Sequence, residues 1–401
     1  MKRRLLIVLS LLWLPLAFPL AALAEQKPAG VKKETAAKAQ AKPKNKSRAG
    51  SKAAAKSKPV KAKTAAASPK GKVPGQVALR TESELQKEVA NARATLARDP
   101  VNEAAWNALA QSAVVATEML LMADAIGSVV KAERLGAFIA REFPDVGPRI
   151  QKMARQGDPR LRQALGVFYG RGIVLARDPQ KSCTEFKAAV QLPASAWHWA
   201  LCNMDAAPDE AWAQMERAAL QNHAAAQEWV GRRCLGEFGT AGKDFTCARE
   251  WLSQSASQGR PRSQTLYAYL LMSGQGGPVD ASRALRLYRL AAEQGDPDAQ
   301  NNLGEIHESG RGVDKNPAEA LVWYERAAER GFGPAQFNAG RLWAIGVGDK
   351  SDPAKARAWL VQAERKGIEQ ARQVLEWMDQ QGNPAPSAGR NASVSTGSGP
   401  K

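Results

Sequence analysis

The chain has 401 residues, with 57 basic and 39 acidic side chains and a formal net charge of +18. A single core rarely grows beyond roughly 250–300 residues, so one compact domain is not expected. Aromatic residues make up 6% and hydrophobic residues 44%, a balance that fits an alanine-rich helical protein and disfavours a β-sandwich. The charge is uneven. Residues 25–80 carry 14 Lys and 2 Arg against Glu25 and Glu34, whereas residues 81–401 are close to neutral. The basic balance therefore belongs to a tail and does not make the folded part a specific nucleic-acid binder.

Lys2-Arg3-Arg4 precede an apolar run from Leu5 to Leu23, and Ala22-Leu23-Ala24 end it on small residues. This is the three-part pattern of a secretory signal over residues 1–24, cleaved before Glu25, and it predicts a periplasmic or secreted protein. The alternative is an uncleaved inner-membrane anchor, since about 20 apolar residues span a bilayer. Residues 25–80 contain Lys, Ala, Pro and Ser with no aromatic residue, and predict a disordered segment. Such a segment is either a solvated spacer or a contact for an anionic envelope surface. Residues 381–401, rich in Gly, Ser and Pro, predict a second disordered tail.

Between the tails the sequence repeats. Gly259, Gly295, Gly331 and Gly367 are 36 residues apart, and so are Asp244, Asp280, Asn316 and Asp352. Ala248, Ala284, Ala320 and Ala356 keep the same register, followed by the bulky pairs Trp251-Leu252, Leu287-Tyr288, Trp323-Tyr324 and Trp359-Leu360. The Asp/Asn column reads as the N-cap of a second helix, with proline after it at Pro317 and Pro353. The glycine column reads as the left-handed residue that closes that helix, with Asn222 in that role in a shortened unit. Gly231, Gly304 and Gly340, with Ala268, place a small residue mid-way along the first helix. Gly274/Gly276, Gly310/Gly312 and Gly346/Gly348 then turn the chain, with Gly170/Gly172 as the counterpart upstream. Six units span residues 157–366, and a terminal helix follows at 369–380. Residues 81–156 form a separate helical region that opens on the capping box Thr81-x-x-Glu84.

The core Ala299-Gln300-x-x-Leu303-Gly304, Gly310-x-Gly312-Val313 and Ala320-x-x-Trp323-Tyr324-x-x-Ala327-Ala328-x-x-Gly331 resembles the Sel1-like repeat family, a relative of the tetratricopeptide repeat. The resemblance implies an all-α fold, a right-handed solenoid of antiparallel helix pairs over residues 157–380. It also implies an adaptor that is not an enzyme. In tetratricopeptide-like arrays the first helix of each pair lines the concave face. That register gives two columns of candidate partner-binding residues. The earlier is Glu228, Thr265, Asn301 and Phe337, and the later is Arg232, Tyr269, Glu305 and Arg341. Their mix of both charges with aromatic rings suits a protein or peptide partner.

Cys183, Cys202, Cys234 and Cys247 are even in number, and export would place them in an oxidising compartment. Antiparallel packing of one helix pair brings Cys234 near Cys247, which leaves Cys183 for Cys202; four free thiols are the alternative. No Cys-x-x-Cys pair, P-loop or His-Glu-x-x-His motif occurs, so no metal and no cofactor are expected. His198, His223 and His307 do not share a register, and Glu305 with Glu308 reads as a solvated pair. The expected function is an exported, monomeric scaffold that binds its partner on the concave face. The rival is an envelope protein held to cell-wall polymer or membrane by its basic tail.

Overall fold

The computed structural model describes residues 81–239, 242–347 and 351–382. The export signal 1–24, the basic segment 25–80 and the C-terminal tail from residue 383 lie outside the described residues.

Four helices come first: α1 (Glu82–Arg98), α2 (Glu103–Ala125), α3 (Val129–Glu142) and α4 (Gly147–Ala154). The Thr81 hydroxyl accepts from the Glu84 amide at 3.2 Å, and the Glu84 carboxylate accepts from the Thr81 amide at 2.7 Å. Two orphan amides of α1 are thereby satisfied. α2 is long and apolar enough to cross a bilayer by length and composition, but 67% of its most apolar stretch is buried against its neighbours. It is the central helix of a core that runs from Leu85 through Leu109, Leu120, Leu135 and Ile150 to Phe168.

Six antiparallel helix pairs follow. They are α5 (Pro159–Arg171) with α6 (Pro179–Ala188), α7 (Pro193–Asn203) with α8 (Pro208–Leu220), and α9 (Ala224–Cys234) with α10 (Phe245–Ser257). The next three are α11 (Pro261–Ser273) with α12 (Ala281–Glu293), α13 (Pro297–Ser309) with α14 (Pro317–Glu329), and α15 (Gly333–Ile345) with α16 (Pro353–Arg365). α17 (Glu369–Gln380) has no second helix among the described residues. The architecture is an all-α, Sel1/tetratricopeptide-like solenoid.

The capping columns fall where the sequence puts them. Asp178, Asp244, Asp280, Asn316 and Asp352 accept from the amides of Lys181, Cys247, Arg283, Glu319 and Lys355. Gly259, Gly295, Gly331 and Gly367 take φ values of 90°, 88°, 78° and 85°, and Asn222 joins them at 65°. These left-handed residues end the second helices and free the chain to start the next pair.

Two details differ from the sequence reading. The core member of each bulky pair is the second one: Leu252, Tyr288, Tyr324 and Leu360 are at most 3% exposed, whereas Trp251, Leu287, Trp323 and Trp359 are only half-buried. The second member lies over the small residue of the first helix, and a Cβ on Gly231, Gly304 or Gly340 would come within 2.7 Å of Leu252, Tyr324 or Leu360. In the first unit the turn is not Gly170/Gly172. Gly170 lies inside α5, Gly172 is its left-handed C-cap, and the second glycine position is held by Val174 at φ 67°. α17 carries Glu376 where the earlier first helices carry glycine, and this side chain is exposed.

Candidate functional site

Polar bonds tie several first helices to the first helix of the next pair. Ser195 donates to Gln163 at 3.0 Å, Arg262 pairs with Asp298 at 2.5 Å, Asn338 donates to Asn301 at 3.0 Å, and Arg341 pairs with Glu308 at 2.7 Å. A glutamine column adds a second tie. Gln227, Gln264, Gln300 and Gln336 donate from Nε2 to the carbonyls of Ala219, Ala256, Ala292 and Ala328, at 3.0–3.4 Å, in the last turn of the preceding second helix. Each bond offers a partner to a carbonyl at a helix end, where intrahelical donors run out.

The earlier candidate column is mostly inside this network. Glu228, Thr265 and Asn301 are buried, and Phe337 is half-buried. Thr265 donates to the Asp296 carboxylate at 2.9 Å, and Asn301 donates to Glu305 at 2.8 Å. Burial pushes the Glu228 carboxyl up, but the guanidinia of Arg260 and Arg232 outweigh it and hold the group below its ordinary range. In the later column Arg232 is 9% exposed and pairs with Glu237 at 2.6 Å. Tyr269 and Arg341 are half-buried, and Glu305 is exposed. Glu308 is not a merely solvated neighbour of Glu305, because it takes both Arg341 and the Tyr324 hydroxyl, the latter at 3.0 Å.

The two columns run one unit further than the eight candidates. Thirty-six residues beyond Phe337 and Arg341 stand Gln373 and Trp377 on α17. With Arg341, Ile345 and Val374 they line a groove between α15 and α17. Ile345 is 60% and Trp377 41% exposed. The same spacing that marks the other columns marks these two residues.

Both disulfides form. Cys234–Cys247 joins the end of α9 to the start of α10 with Cα atoms 5.9 Å apart, and Cys183–Cys202 joins α6 to α7 at 6.1 Å. His198 stacks on Phe186 at 4.7 Å, and burial lowers its pKa to about 4. His223 accepts from the Ala226 amide at 3.3 Å as the N-cap of α9, and burial lowers its pKa to about 3. Both are neutral packing residues. Among the described residues no group of three His, Cys, Asp or Glu side chains is placed to hold a metal ion.

The family model for the Sel1 repeat matches residues 163–183, 224–259, 261–296, 297–332 and 333–368. Among solved structures, a Sel1 repeat protein from Oxalobacter formigenes is 24% identical, with 56% of this chain and 93% of that chain covered and a TM-score of 0.50. A protective antigen present in uropathogenic Escherichia coli strains, which displays an SLR fold, is 19% identical, with 73% and 67% covered and a TM-score of 0.53. No curated protein sequence matches the chain. Helix-pair repeats of this kind generally mediate protein–protein contacts through the concave face. Four 36-residue matches, one on each helix pair from α9–α10 to α15–α16, and a shorter one on α5 and the start of α6 show that this chain carries Sel1 repeats.

Proposed function

We propose that the protein is an exported scaffold that holds a segment of a partner protein on the concave face between α11 and α17. The observation that carries this reading is the groove of Arg341, Ile345, Gln373, Val374 and Trp377. In the same register Tyr269 stands on α11, Glu305 on α13 and Phe337 on α15 itself. A half-exposed tryptophan beside an isoleucine and an arginine has the composition of an interface anchor. The neighbouring Glu305 and the Arg341–Glu308 pair supply a polar rim.

The test uses two groove variants, Trp377→Ala and Ile345→Asp, in full-length protein. Both sites are exposed enough for the fold to survive, so melting temperature should stay within a few degrees of wild type. A photo-crosslinker at position 377 should capture a discrete partner from an envelope extract, and either variant should weaken its binding at least tenfold by direct titration, a loss of about 1.4 kcal/mol. Unchanged affinity in both variants would remove this groove from the reading.

The basic segment 25–80, with its 14 Lys and 2 Arg, supports a second contact of another kind, with an anionic envelope surface. Such attachment weakens steeply with salt. Capture by the groove does not, and residues 81–401 alone retain it.

A further inference from the structure

Arg260 stands just before α11, where Asp158 and Asp296 cap α5 and α13, and it gives α11 no side-chain cap. It turns instead to the far end of α2. Its Nη1 donates to the Ala125 carbonyl at 2.9 Å and reaches the Asp124 carbonyl at 3.4 Å, across 135 residues and three intervening helix pairs. The last carbonyls of a helix lack intrahelical donors and carry partial negative charge, so a guanidinium is well placed there. Gly127, at φ 76°, brings the corner after α2 close to α11, and a Cβ on it would lie 3.5 Å from Pro261. Asp124 is held in addition by Arg171 at the end of α5.

On its other side Arg260 pairs with Glu228, which is 3% exposed. Glu228 also faces Arg232 at 3.7 Å and accepts from the Ser263 hydroxyl at 3.2 Å. Arg232 pairs with Glu237 in the turn after α9. That turn belongs to the loop closed by Cys234 and Cys247. Two guanidinia and two carboxylates thus balance in a place mostly cut off from water. Without Glu237, a net positive charge remains there, with Arg171 and Arg262 nearby. A desolvated charge without its partner is unfavourable. Arg260, at the end of the chain of pairs, relieves it by turning out to solvent, and the carbonyls of α2 are released.

We propose that the chain Cys234–Cys247, Glu237, Arg232, Glu228 and Arg260 is a redox-sensitive clasp that holds the end of α2 against α11 and keeps the first part of the concave face closed. Opening requires a dithiol reductant. Its two thiols give two protons and two electrons to the Sγ atoms of Cys234 and Cys247, the bond between them breaks, and the reductant closes into its own disulfide. The loop then no longer fixes Glu237. In the closed form Glu228 and Arg232 are buried; in the open form they join the exposed face. The clasp is independent of which partner the far end of the groove takes.

Amide hydrogen exchange on full-length protein tests this, because it reads local opening segment by segment. The segment is 122–130, at the end of α2 and the corner after it. Treatment with dithiothreitol, or the pair Cys234→Ser and Cys247→Ser, should raise its exchange roughly tenfold or more. Cys183→Ser with Cys202→Ser should leave it unchanged. Glu237→Gln, with both disulfides intact, should reproduce the opening, and so should Arg260→Gln. Faster exchange confined to 235–246 after reduction, with 122–130 still protected, would overturn the clasp. If the cysteine variants loosen the whole array, Glu237→Gln decides: protection of 122–130 equal to wild type in that variant rejects the proposal.

Discussion

Gly304 on α13 lies directly beneath the ring of Tyr324 on α14, so close that a Cβ would stand 2.5 Å from Cε1 and 2.6 Å from Cδ1. The glycine is therefore a contact requirement. Adding one methyl should destabilise the protein by about 1–3 kcal/mol, the usual cost of overpacking. Tyr324→Ala should cost about 3–5 kcal/mol, because it empties a fully buried aromatic site. Trp323→Ala should cost less than half of that, since Trp323 is only half-buried. Urea denaturation of the three variants ranks them, and an equal loss at 323 and 324 would refute the assignment of the core column.

The glutamine column makes a second prediction. Gln300 Nε2 donates to the Ala292 carbonyl at 3.0 Å in a buried setting. Gln300→Met keeps the length of the side chain and removes the donor. The expected loss is about 1 kcal/mol, the net value of a typical internal hydrogen bond. The matching change Gln336→Met should cost somewhat more, because Gln336 Nε2 donates both to the Ala328 carbonyl at 3.2 Å and to Gln362 at 3.1 Å. A gain in stability from either change would show that these bonds do not hold neighbouring units together.

Much of this fold was legible because each repeated column does one local job. Asp280 and Asn316 cap helices, and Gly295 and Gly331 close them, through contacts within a few residues. A local job leaves its mark at a fixed spacing. The Cys234–Cys247 pairing was legible for the same reason, since it closes one helix pair. Trp323 and Tyr324 were harder to rank, because adjacent residues differ only by 100° around the helix and both are bulky. The burial of the two candidate columns was only half legible. Their register extends to Gln373 and Trp377, yet which members are buried depends on ion pairs between units. The Arg260–Ala125 bond has no counterpart in the period, because it joins the repeats to a helix outside them.

Val174 offers a stabilising change. It takes φ 67° at the position where other units place Gly276 and Gly312, at 73° and 76°. A β-branched residue in the left-handed region is strained, by about 1–2 kcal/mol. Its side chain is half-buried, so Val174→Gly gives up some packing near Gly147. The balance should be a rise in stability of up to about 1 kcal/mol, or a few degrees in Tm for a protein of this size. The converse change, Gly312→Val, should lower Tm. Thermal melts of the two single variants check the pair, and a fall in Tm for Val174→Gly would mean that packing outweighs backbone strain at this turn.

Acid should destabilise the array through its histidines. His198 and His223 are held near 4 and 3 by burial, against 6.5 in the unfolded chain. Between those values the unfolded state binds more protons than the folded one, so stability falls as pH drops below about 6.5. Asp296 acts in the opposite sense. Burial and the nearby Asp298 raise it to about 6, so the folded state gains protons first and acidification from 6 towards 3.8 adds stability. Burial raises Asp124, Asp298 and Glu305 as well, and these act with Asp296, so the histidine share is read from the difference between a variant and wild type. His223→Asn separates the contributions, since asparagine is a good N-cap and does not titrate. This variant should lose a little stability at pH 7.5, where the stack on Trp197 at 5.5 Å is missing. It should lose distinctly less than wild type between pH 6.5 and 4.5. Asp296→Asn should steepen the acid loss instead. Urea midpoints across this range give both slopes, and parallel profiles for wild type and His223→Asn would rule out His223 as a source of the acid sensitivity.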